Sequence, residues 1–464
     1  MELRVLLLCV VGCSLSWAIP LLTDNDDEPT DNPVLIDDPV LTDDLGTTSE
    51  VNNATNPDPS EILIGGEEEE DIVDIIRREN EDFSDWLYGG DIVSWTSRSV
   101  MPCTQCFWKK SANGFVAVPF VFSSQYGNFE KSYVRKVMKE FEVMTCVKFV
   151  NRTTEDDYID ISSAGGCWSY IGKIGRGQIV SLDFPGCIKY PLIQHELIHV
   201  LGFFHEHTRN DRDQYIKVLW DNISPDDRSN FEIDAGNTLK LPYGYNSIMH
   251  FDSKDYSDVY GSPSMIAIKN PKMHLGQRIG MNNLDVMKIN HVYDCNLCRR
   301  KFLGESGGFA YYSVFSNEGA TTCLYLIQTT LKVLLQLVGV SIPLSPDCND
   351  SYIKIYDGVS QSSSVLLDRT CGNMNIPPLV SSGEFMLIEI VNSNPSALFR
   401  FNAQYKTVRY GGTFVTNNSI VTNPLYPLKY PNNVDVVYSI IAPKGYKFTL
   451  PSLKGGINLV ADYF

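Results

Sequence analysis

The sequence predicts an α+β domain over residues 99–297, an all-β sandwich over 298–408 and a partial second copy of that sandwich over 409–464. Three observations carry this. Between Ser99 and Leu297, alternating apolar runs such as GFVAVPFVF mark half-buried strands, and KSYVRKVMKEFEVM places its apolar residues on one helical face. From Cys298 to Val408 short strand-like runs are broken by Ser, Asn and Gly turns, with almost no helical periodicity. GGFAYYS near 307 is then echoed by GGTFVTN near 411, and this second copy ends at Phe464, about half the length of the first.

Taken in order, residues 1–18, MELRVLLLCVVGCSLSWA, have one arginine before an apolar core and a small residue, Ala18, at a cleavage point, and read as a secretory signal. Two of the twelve cysteines, Cys9 and Cys13, leave with it. The even remainder in an oxidising compartment predicts disulfides. The most apolar later stretch, CLYLIQTTLKVLLQLVGV, carries Lys332 and two glutamines and suits buried strands better than a spanning helix. The chain is therefore expected to be secreted, extracellular and without a membrane span. Sequons at Asn53, Asn151, Asn222, Asn349 and Asn417 fit that route.

The net charge of −18 is not spread evenly. Residues 19–98 hold 23 acids against 3 arginines, a balance of −20, so the rest of the chain sums to +2. A segment of that composition cannot bury a core of its own and is either a solvated linker or a removable acidic pro-segment. Within it, IVDIIRRENEDFSDWL has helical spacing over 72–87.

The chemistry concentrates at 194–209, QHELIHVLGFFHEHTR, which holds four of the seven histidines. On a helix over 191–202, His195 and His199 are four apart and lie on one face, the spacing that two metal-ligating imidazoles need. Glu196 cannot join them as a ligand but can reach a water held at the metal. Gly202 can take a left-handed conformation and turn the chain so that His205 returns to the same point. Three neutral imidazoles and a water make an open catalytic zinc site. His207 follows no ligand spacing and is read as structural.

HELIHVLGFFHEHTRNDRDQYI resembles the extended zinc signature of the astacin family of metalloendopeptidases, within the metzincins, and YNSIMHF at 245–251 resembles its Met-turn. NRTTEDDYI, GCWSYIG and LGQRIGMNNLDVMKINHVYDC also look like astacin segments, so the resemblance covers about 99–297. MPCTQCFWKK and the region after the protease domain are most similar to the amphibian embryonic hatching enzymes. The resemblance implies a metzincin-like domain with an active-site helix. His195, His199 and His205 would ligate one zinc per chain, Glu196 would be the general base and Met249 an apolar floor. It also implies disulfides Cys146–Cys295 and Cys167–Cys187. Cys103 and Cys106 form a C-x-x-C open to redox or zinc-knuckle readings, with a local disulfide favoured.

WLYGGDI resembles the family's F-x-G-D pro-segment motif, which would make Asp91 a zymogen switch. A trypsin-like protease cutting after Arg98 would free Ser99, whose amine would be anchored by Glu206. Phe251 stands where the family nearly always has tyrosine and lacks its oxyanion-stabilising phenol. Slower turnover is therefore expected unless Tyr243 or Tyr245 substitutes.

Residues 298–408 resemble a CUB domain, implying disulfides Cys298–Cys323 and Cys348–Cys371. Ser351 and Pro343 replace acids at the CUB calcium site, so calcium is not expected. In the partial second CUB, Tyr410 and Val436 replace both members of the usual first cysteine pair. The expected partners are glycoproteins of an extracellular coat such as an egg envelope, with the CUB region holding enzyme on substrate, and no nucleic acid. The alternatives are a processing protease for matrix or growth-factor precursors, or a weakly active adhesive scaffold.

Overall fold

The computed structural model describes residues 5–10, 72–93, 106–234, 240–313, 322–394, 397–415, 436–441 and 458–461. Arg98, Ser99 and Cys103, named above, lie outside them, as do Asn53 and Asn417. Cys106 is disulfide-bonded.

The apolar run at 116–122 forms the strand Val116–Phe122, and the amphipathic run after it forms a helix, Asn128–Met144, with Val134, Val137, Met138 and Phe141 buried. This helix crosses over to a parallel neighbour, Val147–Asn151. The resulting five-stranded sheet runs in the order Val147–Asn151, Val116–Phe122, Tyr158–Ser162, Gly177–Leu182, Cys167–Trp168. Its first four strands are parallel; the short edge strand Cys167–Trp168 is antiparallel. The helix Tyr190–Val200 is buried at ten of its eleven positions, and the helix Asn283–Val292, opened by an Asn282 capping box, closes the domain. Disulfides join Cys146 to Cys295 and Cys167 to Cys187.

The acidic segment contributes a helix, Ile72–Glu79, that ends well short of 87. The physical reason lies in Asn80, whose side chain is committed outside the helix. Its amide donates to Gly90 O (2.8 Å) and Cys167 O (2.7 Å), and its oxygen accepts from Cys167 N (2.7 Å). A short 3-10 turn, Glu81–Phe83, and a small hairpin of Leu87–Tyr88 with Ile92–Val93 follow. Ile72, Val73, Ile75 and Ile76 are each 3 % exposed or less and belong to the core of the α+β domain. A segment too polar to make a core of its own thus completes one made by another part of the chain.

Residues 298–408 form two facing five-stranded sheets. Cys298–Leu303, Thr322–Gln328, Phe385–Asn392, Ser351–Asp357 and Ser364–Thr370 make one; Ser306–Tyr312, Arg400–Val408 and Lys332–Ile342 lead the other. Cys298 pairs with Cys323 and Cys348 with Cys371. The sandwich is docked on the α+β domain: Leu324, Leu326, Tyr356, Val359, Phe385 and Leu387 share its core. Lys301 forms an ion pair with Glu140, both fully buried.

Beyond 408, Gly412–Phe414, Val436–Ile441 and Asn458–Ala461 lie in a parallel sheet with Val5–Val10 inserted between the last two. Val5–Val10 falls within the expected signal, so a chain exported without residues 1–18 lacks this strand. Among the described residues no helix is long and apolar enough to cross a membrane.

Candidate metal centre

The helix Tyr190–Val200 carries His195 and His199 on one face, one turn apart. It stops at Leu201, and Gly202 follows in the left-handed region (φ 97°), packed so closely on the Phe107 ring that a side chain there would collide. Trp108 Nε1 donates to Val200 O (2.9 Å) and the Tyr293 hydroxyl to Leu201 O (3.0 Å), so the carbonyls freed at the helix end keep partners. The redirected chain brings His205 back. His195 Nε2 stands 3.1 Å from His199 Nε2 and 3.2 Å from His205 Nε2.

The fourth corner is Asp91. Its carboxylate oxygens lie 2.9 Å from His195 Nε2, 3.3 Å from His205 Nε2 and 3.5 Å from His199 Nε2. All four side chains are buried, and they are the cluster among the described residues able to hold a metal. An ion at roughly 2.0–2.1 Å from four tetrahedral ligands separates those ligands by about 3.3–3.4 Å, so the observed spacings fit zinc. Among the described residues, the buried Asp91 Oδ1 and both Glu196 oxygens have no hydrogen-bond partner. Three lone-pair nitrogens and unsatisfied carboxylate oxygens in a dry site are the donor set of a cation.

Second contacts fix which nitrogen points inward. His195 Nδ1 donates to Ile248 O (3.0 Å) and His199 Nδ1 to Phe203 O (2.7 Å), leaving both Nε2 lone pairs free to ligate. Burial lowers His195 and brings His205 down to about 4, holding both in the neutral, ligating form. Burial, and then the Asp91 charge, pushes the Glu196 carboxyl well above its ordinary range.

Asp91 is delivered by strand-like pairing. Ser169, just past the edge strand, donates to Asp91 O (2.9 Å) and accepts from Val93 N (2.9 Å), so the segment extends the protease sheet. Gly89 and Gly90 precede it at φ 64° and 90°. A side chain at Gly89 would press on His205 and one at Gly90 would collide with the Tyr256 hydroxyl. Tyr88 donates to Glu232 O (3.3 Å). Burial pushes Asp234, beside Tyr88 and Thr208, up to about 6.

The remaining candidate residues are distributed as follows. Met249 is buried in the turn, and its carbonyl accepts from Glu206 N (2.8 Å). Glu206, expected to meet a free amine, here accepts from Arg209 (2.9 Å), Gly244 N (2.7 Å) and Lys288 (2.5 Å). Phe251 lies 4.8 Å from the His205 ring and stacks on His207 at 3.9 Å; His207 Nε2 bonds Asn230 O, a structural placement. Tyr243 and Tyr245, the other phenols near the Met-turn, each have a partner of their own. The first is tied to His250 Nε2 (2.8 Å) and the second to Tyr215 O (3.4 Å). Asn80, Tyr256 and the Lys301–Glu140 pair were not foreseen. Each acts through partners more than thirty residues away or through burial, and no local spacing announces that.

Residues 106–294 match the family model of the astacin peptidases and residues 298–405 match "CUB domain". The chain is 38 % identical over 374 residues to an astacin-like metalloendopeptidase of Gallus gallus, covering 80 % of this chain and 91 % of that one. It is 38 % identical over 385 residues to embryonic protein UVS.2 of Xenopus laevis, covering 82 % and 74 %. A solved structure of high choriolytic enzyme 1 from Oryzias latipes, described as a hatching enzyme zinc-protease, is 43 % identical with a TM-score of 0.41 and covers 42 % of this chain and 100 % of its own. With a chicken relative matched across nine-tenths of its length and the protease and CUB models in tandem, the chain belongs to the astacin family of zinc metalloendopeptidases.

Proposed function

We propose that this chain is made as a latent, secreted precursor and, once cut, digests glycoproteins of an extracellular coat of the egg-envelope type. What carries latency is Asp91, whose carboxylate stands at the fourth corner of the three-histidine cluster, where a catalytic water belongs. The coat substrate is supported by the relatives, one of them described as a hatching enzyme. In this reading His195, His199 and His205 hold one zinc per chain, and calcium has no role in the CUB domain. The domains divide at 18, 98, 297 and 408.

Held by His195, His199 and His205, a zinc ion would supply Lewis acidity toward the scissile carbonyl and toward water. Glu196 takes the water's proton and returns it to the leaving amine. Its two unpartnered oxygens leave it free to do so, and its raised pKa falls once the Asp91 charge departs. A trypsin-like cut after Arg98 releases the segment, and the new Ser99 amine then joins the Glu206 cluster.

The test is expression of the precursor, trypsin activation and casein zymography with and without chelator, followed by N-terminal mapping of fragments from isolated egg envelopes. Active material should begin at Ser99. Glu196→Gln should abolish turnover with zinc retained, and near-parental activity in that variant would show the base to be misassigned.

A further inference from the structure

Hydrolysis of a peptide builds negative charge on the carbonyl oxygen, and a protein normally aims a hydrogen-bond donor at it. Around the fourth corner of this site such a donor is not obvious. The three imidazole Nε2 atoms face the metal position, Glu196 is an acceptor, and Phe251, against His205, has no hydroxyl. Tyr243 and Tyr245 are tied to other partners.

One hydroxyl lies against the segment that fills the place. Tyr256 stacks on Phe251 with centroids 5.4 Å apart and planes 25° apart, so its ring runs alongside the apolar wall of the site. Its hydroxyl sits directly against Gly90, the residue before the carboxylate that fills the fourth corner. Tyr256 is only 6 % exposed, yet its backbone is left-handed (φ 56°), a conformation a bulky side chain rarely takes. Such strain concentrates at functional sites, where the surrounding structure holds it. Of the groups pressing on the ring, the Phe231 edge (6.2 Å) and Phe251 belong to the protease domain, whereas the Arg77 guanidinium (5.2 Å) and Gly90 belong to the removable segment. Release of that segment clears the space in front of the hydroxyl and leaves the ring seated.

We propose that Tyr256 is a catalytic residue of the mature enzyme, its hydroxyl donating a hydrogen bond to the oxyanion that forms as water adds to the scissile carbonyl. The proton stays on the phenol throughout, because the hydroxyl only donates a hydrogen bond. The assignment rests on the zinc and Glu196 reading above. It also changes what Phe251 means, because the missing phenol is supplied five residues further on by the ring stacked against it.

The test uses the trypsin-activated full chain, with Tyr256→Phe and Glu196→Gln made in parallel. Steady-state kinetics, zinc content, thermal midpoint and the affinity of a phosphinic peptide, a tetrahedral oxyanion mimic, are measured for each. Tyr256→Phe should lose about 10²-fold in kcat, the usual effect of removing one oxyanion donor, with KM, zinc content and thermal midpoint held. Phosphinic-peptide affinity should fall by a similar factor. A Glu196→Gln variant of parental activity overturns the site reading and this inference with it. If Glu196→Gln is dead while Tyr256→Phe stays within about twofold of parent in kcat or phosphinate affinity, the inference alone is overturned. A Tyr256→Phe chain that loses zinc or melts early in step with its activity overturns it in favour of a structural role.

Discussion

Replacing Lys301 with methionine removes one half of a fully buried ion pair. Lys301 lies on the first CUB strand and Glu140 on the helix Asn128–Met144, and both are 0 % exposed at the side chain. Burial lowers the lysine's pKa and the Glu140 carboxylate works against that shift. The second Glu140 oxygen accepts from the Tyr190 hydroxyl (2.6 Å), and Tyr190 opens the helix that carries His195 and His199. In Lys301→Met the carboxylate keeps that one bond and loses its counter-charge, an arrangement that typically costs about 3–5 kcal/mol. The stability deficit should reach that range at pH 7.5. Urea unfolding followed by tryptophan fluorescence, with disulfides intact, reads it. Glu140→Leu with Lys301→Met should recover most of the loss, because a buried pair exchanged for apolar residues is often neutral. A Lys301→Met deficit under about 1 kcal/mol at pH 7.5 would refute the reasoning that the CUB sandwich is bonded into the protease core.

Other outcomes follow from the same contacts. Asp91→Ala should give a precursor that hydrolyses casein before any cut, whereas a silent Asp91→Ala precursor would remove Asp91 from the switch. Asn80→Ala deletes bonds to Gly90 and Cys167 and should loosen the segment by about 1–3 kcal/mol, seen as a roughly 5- to 150-fold rise in basal activity of the uncut chain. Asp234, raised to about 6, gives stability that is complete below its ordinary pKa near 3.9 and fades as pH rises through about 6. Asp234→Asn should therefore gain in thermal midpoint over the parent at pH 7.5 relative to pH 5. An unchanged difference between the two pH values would put the cause elsewhere.

The sequence by itself determined whatever depends on short spacing. The i, i+4 histidines, the glycine that ends their helix and the return of His205 are local geometry, and the structure places the His199 and His205 Nε2 atoms within 3.2 Å of His195 Nε2 accordingly. Alternating runs and the change of texture at Cys298 likewise named the α+β domain and the sandwich, because side-chain period is fixed by backbone period. Other features had no such signal. The helix expected over 72–87 stops at Glu79 because Asn80 bonds Cys167, eighty-seven residues away. Glu206 is surrounded by cations and an amide contributed by three separate stretches. A tyrosine at 256 reads as one aromatic among many until folding stacks it on Phe251 and sets its hydroxyl beside Gly90. Lys301 and Glu140 look like ordinary surface charges on a strand and a helix, and only the docking of one domain on the other takes both out of water and makes them depend on each other.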